Sequence, residues 1–376
     1  MKISLKKPQN IFWNIYKRRN ENIFIRALLR VISFFYLIIY KIRLKLYKIN
    51  IIKKHKQPTT VISIGNITLG GSGKTPLTIE IAKYLIKEGF KVAILSRGYK
   101  KRELMNNKNT NAQMVSDGSE ILLNHEVSGD EPYLIAKKVP NAIVLTGKDR
   151  TKNANIAVKH GAEILILDDG YQHLKIQRDE DILLIDSTLP FYLDELFPLG
   201  NLRELPDEIS RASTIILTNT DKGNNEVAKL MTILAKYNKP IFKMRYKIDT
   251  LKGLNIKKTI DIKEYAYKQV VAFSGIANPY SFIENLKQNN LKIMEHLIYP
   301  DHYNYSFGDI KEIINYADKH RVEDIITTEK DAVKIEELCQ ACPKTFWACE
   351  LTVSIEDIKS LNDIFNNKSK FTLRQK

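Results

Sequence analysis

Val61-Ile62-Ser63-Ile64-Gly65-Asn66-Ile67-Thr68-Leu69-Gly70-Gly71-Ser72-Gly73-Lys74-Thr75-Pro76 is the stretch on which the fold of this chain turns. Val61 to Ile64 is a short apolar run of the kind a buried strand shows, and Pro58 separates it from what precedes. From Leu77 onward apolar residues recur at helical spacing (Leu77, Ile81, Ala82, Leu85), with Lys83, Lys87 and Glu88 on the polar side. Strand, glycine loop, Gly-Lys-Thr and helix are the parts of a P-loop in their required order. Glycines let successive N–H groups turn toward phosphate oxygens, and the helix N-terminus adds a partial positive charge. Thr68, Leu69, Gly70, Gly71, Ser72, Gly73, Lys74 and Thr75 are therefore the expected nucleotide-binding segment. Lys74 is expected to neutralise the β- and γ-phosphates of the nucleotide, and Thr75 to hold Mg²⁺ through its hydroxyl. The strict pattern asks for glycine where Thr68 stands, but Gly70 and Gly71 supply flexibility nearby.

Outward from the loop, apolar runs recur at Val92–Leu95, Ala142–Leu145, Ile164–Leu167, Ile182–Ile185 and Thr214–Leu217. Helix-length segments separate several of them, which predicts an α/β fold with a mostly parallel sheet flanked by helices. Functional residues of such a sheet belong at strand C-termini. Ile164–Leu167 runs into Asp168-Asp169-Gly170-Tyr171-Gln172-His173, a Walker-B-like end that would place a carboxylate near Mg²⁺. Ser96-Arg97-Gly98-Tyr99, Gly129-Asp130-Glu131-Pro132, Leu202-Arg203-Glu204 and Asp301-His302-Tyr303 are polar clusters that singly read as turns or surface ion pairs. Spacing alone does not join Asp130 to His302.

The charge is uneven. The formal net charge is +16, yet residues 1–60 hold 15 Lys/Arg against Glu21 alone, and the other 316 residues hold 44 basic and 42 acidic side chains. A nearly neutral body argues against a nucleic-acid partner. With 44% hydrophobic residues, the chain has enough apolar material for a core, which excludes whole-chain disorder. Within the basic end, the longest charge-free run is Val31–Tyr40, against about 18 residues for a bilayer span. On a helix, Arg26, Arg30, Ser33, Lys41, Lys45 and Lys48 share one stripe about 120° wide, the rest being mostly Ile, Leu, Phe and Tyr. That pattern predicts a helix lying in a headgroup layer, the alternative being a helix docked on the protein's own core. Cys339, Cys342 and Cys349 are too few for a disulfide framework. The CxxC lacks a second ligand pair, so reduced structural thiols are expected.

Taken in order, Gly65-Asn66-x-Thr68-x-Gly70-Gly71-x-Gly73-Lys74-Thr75-Pro76, Ser96-Arg97-Gly98-Tyr99, Gly129-Asp130-Glu131-Pro132, Asp168-Asp169-Gly170-Tyr171-Gln172-His173 and Leu202-Arg203-Glu204 form a specific set. Phe273-Ser274-Gly275-Ile276-Ala277-Asn278-Pro279, Asp301-His302-Tyr303 and Thr328-Glu329-Lys330-Asp331-Ala332-Val333-Lys334 continue it. The set resembles the tetraacyldisaccharide 4'-kinase family, whose members look similar at Thr68 too. The resemblance implies transfer of the γ-phosphate of ATP to the 4'-hydroxyl of an acylated glucosamine disaccharide 1-phosphate, giving lipid IVA at the cytoplasmic face of a bacterial inner membrane. It implies a P-loop core and a smaller second α/β domain joined by a two-stranded linker. The expected division is a membrane-associating helix over 1–57, a core over 58–241, a linker over 242–262 and a second domain over 263–376, in a monomer. By resemblance, Asp130 and His302 activate the sugar hydroxyl, with Lys74 clamping phosphate. Thr75, Asp168, Asp169 and Glu204 form the Mg²⁺ neighbourhood, and Tyr99, Glu131, Gln172, His173 and Arg203 line the site.

Two rivals share the P-loop. A membrane-attached partitioning or positioning ATPase also joins such a loop to a basic amphipathic helix, but Leu69 stands where those proteins resemble one another in carrying lysine. A GTPase would read guanine through Asn-Lys-x-Asp, and Thr218-Asn219-Thr220-Asp221 lacks the lysine.

Overall fold

The computed structural model describes residues 2–5, 22–98, 112–221 and 224–356; Tyr99, expected in the site, lies outside them. The chain starts with Lys2–Leu5 (β1) and the helix Ile23–Lys48 (α1). There follow Thr60–Asn66 (β2), Lys74–Lys87 (α2), Val92–Ser96 (β3), Gln113–Asp117 (β4), the single turn His125–Ser128 (α3), Asp130–Lys138 (α4), Ile143–Thr146 (β5) and Arg150–Lys159 (α5). Next come Ile164–Asp168 (β6), Glu180–Asp186 (β7), Thr214–Thr218 (β8), Asn224–Ala235 (α6) and the long Ile241–Gly253 (β9). Thr259–Asp261 (β10), Gln269–Ser274 (β11), Pro279–Gln288 (α7), Lys292–Ile298 (β12), Phe307–Lys319 (α8), Asp324–Thr328 (β13), Glu329–Ile335 (α9) and Thr345–Ile355 (β14) complete it.

One sheet carries all the described strands, in the order β1-β12-β11-β13-β14-β9-β8-β7-β2-β6-β3-β5-β4, with β10 on β9. From β9 to β5 every neighbour is parallel, and β4 closes that edge antiparallel. β2, β3, β6 and β7 are buried at every position. Helices cover both faces, so these strands read as continuous apolar runs and not as alternations. This is the expected mostly parallel α/β sheet.

β9 behaves differently. Its first residues run parallel to β8, and from Met244 to Gly253 it pairs antiparallel with β14. Its alternating sequence matches alternating burial. Met244 packs in a cluster with Ile62, Leu77 and Ile94, whereas Leu251 belongs to another with Val270, Leu286 and Trp347. One cluster thus draws on the start of β9 and another on its later residues, and the stretch 242–262 supplies only one strand of the β9–β14 pair. The other is β14, from the far end of the chain.

α1 starts at Asn22, whose side chain accepts from the N–H groups of Phe24 and Ile25. It docks by a narrow stripe: Leu29, Ser33, Tyr40 and Tyr47 are buried. Ser33 Oγ donates to the Leu196 carbonyl at 3.0 Å, and Tyr36 OH to that of Arg203 at 2.7 Å. Ser33 therefore belongs to the docked face, in correction of its grouping with the basic stripe. Phe24, Leu28, Phe34, Phe35 and Ile39 remain more than half exposed. The docked reading holds for one side of the helix, while the other side is open and largely apolar. An 18-residue stretch of α1 also averages a hydropathy of 2.0, apolar and long enough to cross a membrane by composition. The ten-residue run understated this, because Arg26 and Arg30 are the only charges between Ile23 and Tyr40.

The three cysteines are free thiols. Burial pushes the Cys339 thiol up to about 12, and its Sγ donates to the Glu336 carbonyl, as suits a structural thiol.

Candidate active site

β2 ends at Asn66 in the middle of the parallel set, between β6 and β7, where the loop leaves toward α2. Gly73 caps α2 in the left-handed region at φ 79°, and a Cβ there would stand 1.4 Å from Tyr246 OH. Glycine is required by both the backbone and the neighbour. Tyr246, on β9, donates to the Ser72 carbonyl at 2.9 Å, so the strand joining the two cores touches the phosphate loop directly. The loop is propped from outside as well: Leu69 N–H donates to Asn201 O, and Arg203 N–H to Ile67 O, both at 2.7 Å. Nothing crowds Gly70 or Gly71, and the buried Ser72 Oγ has no partner among the described residues. Such a cradle suits phosphate.

Lys74 Nζ lies 3.2 Å from Asn66 Oδ1, 3.5 Å from Gly70 O and 3.5 Å from Asp169 Oδ1. Thr75 is half-buried beside it. Asp168 closes β6 and accepts from Thr78 Oγ1 at 3.0 Å. Burial, then Glu131 and Asp169, push its carboxyl up to about 7 against the pull of Arg150 and Lys74. Burial acts the same way on Asp169, but Lys74 and Arg203 outweigh it and hold this carboxyl well below the usual range. Arg203 Nη1 donates to both Asp169 oxygens at 3.0 Å. Arg150 fixes the backbone of the acidic pair, donating to the Asp168 and Asp169 carbonyls. Gln172 Nε2 donates to Asn66 O at 2.8 Å, and Arg43 of α1 donates to Gln172 O at 2.9 Å. His173 stands beside this group; burial, aided by Arg150 and Arg178, pushes its imidazole down to about 4. It is neutral at pH 7.

Glu204 is not turned toward this acidic pair. It is 1% exposed and ion-paired with Arg211, which lies over the Tyr171 ring at 4.5 Å. Burial pushes Glu204 up to about 7, with Arg211 opposing. Among the described residues, no three acidic, thiol or imidazole side chains converge as a ready-made metal cage. Asn219 donates its amide to Asp186 Oδ1 at 3.0 Å.

The second cluster joins the start of α4 to the turn after β12 and to α9. Asp130 is the first residue of α4, after Gly129, and His302 follows β12 in a left-handed turn at φ 58°. His302 N–H donates to Gly275 O, and Gly275 N–H to Asp331 Oδ2. Side chains 172 positions apart meet here: His302 Nδ1 lies 3.1 Å from Asp130 Oδ2. Burial raises the Asp130 carboxyl, but the His302 hydrogen bond and the Lys334 and Lys330 charges outweigh it and hold it low. Glu131, which acts electrostatically on Asp168, accepts from Lys330 Nζ at 3.1 Å, linking this cluster to the phosphate end. Lys137 pairs with Glu336, and Lys138 with Glu329 at 2.7 Å and Glu350 at 2.8 Å, so α4 is strapped to α9 and β14.

Thr78, Arg150, Tyr246 and Lys330 carry contacts that the sequence reading gave no role. Lys330 and Lys334 stood in a quoted charge-rich run, which was the available signal; Tyr246 had none beyond its place in an alternating strand.

The sequence pattern of the family described as tetraacyldisaccharide-1-P 4'-kinase (LpxK) matches residues 25–370. The chain is similar to the tetraacyldisaccharide 4'-kinase of Pelobacter propionicus, with 35% identity over 342 residues, 91% of this chain and 92% of that protein. The namesake from Desulfatibacillum aliphaticivorans is 36% identical over 351 residues, with the same shares covered. Among solved structures, the "apo" form of LpxK from Aquifex aeolicus in complex with ATP is similar, with a TM-score of 0.73 and 32% identity. That match covers 91% of this chain and 98% of the other.

Proposed function

The chain belongs to the tetraacyldisaccharide-1-P 4'-kinase family, and from that premise we propose how its residues divide the work. It is an ATP-dependent kinase of lipid A biosynthesis that acts on tetraacyldisaccharide 1-phosphate. The observation that carries the division of roles is the contact of Asp130 with His302 beside a P-loop. Phosphoryl transfer asks a protein for positioning, charge neutralisation and a base for the attacking hydroxyl.

In this reading Lys74 exchanges Asp169 for the β- and γ-phosphates of ATP, and Ser72 and the loop N–H groups receive phosphate oxygens. Thr75, Asp168 and Asp169 offer hard oxygen donors of the kind Mg²⁺ takes, one or two from protein and the rest from phosphates and water. Bound there, the ion would neutralise charge on the β- and γ-phosphates; Glu204 stays with Arg211. His302 takes the proton of the sugar 4'-hydroxyl at Nε2 while Asp130 holds Nδ1–H, orienting the ring and stabilising the imidazolium. The core over 58–241 supplies Asp130 and the P-loop, the unit over 263–376 supplies His302, and 242–262 leads between them.

The substrate is acylated, and α1 is built to meet it. Its docked face holds the backbone of Arg203 and Gln172, while its outer face presents Phe24, Phe34, Phe35 and Ile39 beside the basic edge of Arg26, Arg30, Lys41 and Lys45. A cavity of about 410 Å³ opens between α1 and the segment around Tyr192 and Leu199. We therefore read α1 as an interfacial helix that seats the enzyme on the cytoplasmic face of the inner membrane. Phe35→Glu combined with Ile39→Glu should cut sedimentation with anionic phospholipid vesicles by at least about tenfold, since each replaces an exposed apolar group by a charge. Unaltered partitioning would remove the interfacial role.

The activity is tested with γ-labelled ATP, Mg²⁺ and tetraacyldisaccharide 1-phosphate in detergent. Label should pass to the lipid. ATP hydrolysis without labelled lipid, stimulated by bare membranes, would transfer the reading to a positioning ATPase.

A further inference from the structure

Lys330 lies in the first turn of α9, and the mechanism above gives it no task. Its ammonium donates to Glu131 Oε1 at 3.1 Å, stands 3.5 Å from Asp301 Oδ1 and 3.2 Å from His302 Nε2. Burial alone would lower its pKa, but Glu131 and Asp301 outweigh it and raise it above the ordinary value, so the group is a cation throughout the working range. An ammonium has three protons and no lone pair, so its contact with Nε2 has one sense: Nζ donates and Nε2 accepts. The ring proton then sits on Nδ1, directed at Asp130. Contacts on opposite edges of the imidazole select one tautomer and fix its plane. The nitrogen left without a proton is the one the reaction uses. Lys137 and Lys138, the other lysines bridging α4 to α9 and β14, are paired with carboxylates. Lys330 alone of these three is recorded against the ring of the base.

We propose that Lys330 is a positioning residue for the base, occupying the donor's place on His302 Nε2 until the sugar hydroxyl takes it. The proposal rests on the Asp130–His302 assignment and deepens it. A hydroxyl also arrives as a donor, so it replaces the ammonium without any change in the ring. Glu131 and Asp301 already accept from Nζ and retain it once displaced. In the step itself the hydroxyl proton passes to Nε2 and the sugar oxygen bonds to the γ-phosphorus. The bond from that phosphorus to the β,γ-bridging oxygen breaks, and ADP leaves. Lys330 stays an ammonium throughout. The new imidazolium faces Asp130 and Glu131 of α4, Asp301 on its own loop, and Lys330 and Lys334 of α9. Repulsion from the nearer ammonium favours loss of the proton to solvent before the next turnover.

Steady-state kinetics of Lys330→Met, Lys330→Arg and His302→Ala from about pH 5.5 to about pH 9, with ATP titration and thermal melting alongside, test this. Lys330→Met should lower kcat on the order of 10- to 100-fold with ATP affinity unchanged. It should also move the acid limb of kcat/KM to higher pH by about one unit, because a cation beside Nε2 opposes its protonation. Lys330→Arg keeps the charge and should leave the limb in place, whatever it does to kcat. An unmoved limb in Lys330→Met, with a loss of turnover no larger than that of Lys137→Met, would make Lys330 a strut between the two cores and overturn the proposal. His302→Ala separates the two levels. A wild-type acid limb and turnover in that variant would remove the base itself. Loss of the limb there, with Lys330→Met leaving it in place, would remove only the role of Lys330.

Discussion

His302→Ala should lower kcat by about 10³-fold while the dissociation constant for ATP stays within about twofold of wild type. The asymmetry follows from where the side chain stands. His302 meets Asp130, Asp301 and Lys330 at the junction of the two cores, whereas the phosphate loop is organised by Asn66, Asp169 and the backbone of residues 201 and 203. Removing the imidazole takes away the proton acceptor and leaves the nucleotide cradle intact. Asp130→Asn should do comparable damage, because an amide no longer stabilises the imidazolium and can turn its NH₂ toward Nδ1, favouring the wrong tautomer. Steady-state kinetics with saturating lipid, together with calorimetric titration of ATP, read both quantities. If ATP binding were lost and residual turnover kept pace with wild type, the pair would have to be moved from the chemistry to the nucleotide site.

Lys74→Met should reduce kcat/KM for ATP by about 10²- to 10³-fold, through both binding and turnover. The ammonium is held by a side-chain carbonyl, a backbone carbonyl and the edge of Asp169, none closer than 3.2 Å. Phosphate can therefore take it over without breaking a short contact. Methionine keeps the packing of the stem and removes the charge, which also strips Asp169 of one of the three cations that hold it ionised. Lys74→Arg should not rescue the loss, since a planar guanidinium does not fit a site shaped for a point charge. Turnover and ATP affinity both within about threefold of wild type would show that this P-loop does not act through its lysine.

What was legible beforehand was local. The P-loop and the acidic pair at the end of β6 are each defined by one strand and the turn after it, so spacing along the chain carries their geometry. Asp130 and His302 are brought together by the register of β9 on β14, which no short window records; only the family resemblance joined them. Arg203 and Glu204 show a second kind of loss. They are neighbours in sequence and looked like one polar unit, yet their side chains leave in different directions, Arg203 to Asp169 and Glu204 to Arg211. The backbone there bridges Thr68 through Leu202, and in extended chain successive side chains alternate sides. α1 shows a third. Its hydrophobicity was visible, but the split between a docked face and an open face depends on the 191–206 segment beneath it, so Ser33 was grouped with the cations although it hydrogen-bonds Leu196.

Gly253 and Trp347 oppose one another across the β9–β14 ladder, so residues 254–346 form an excursion whose entrance and exit are one rung apart. The chain passes between the strands around the P-loop and those around β11 three times: from β1 to α1, out through β9 and back through β14. A two-stranded ribbon resists stretching but accepts twist. Lys137 and Lys138 of α4, bound to Glu336, Glu329 and Glu350, limit that twist near the Asp130–His302 contact. Tyr246 sits on that ribbon with its hydroxyl on the Ser72 carbonyl, so a twist of β9 bears directly on the loop ahead of α2.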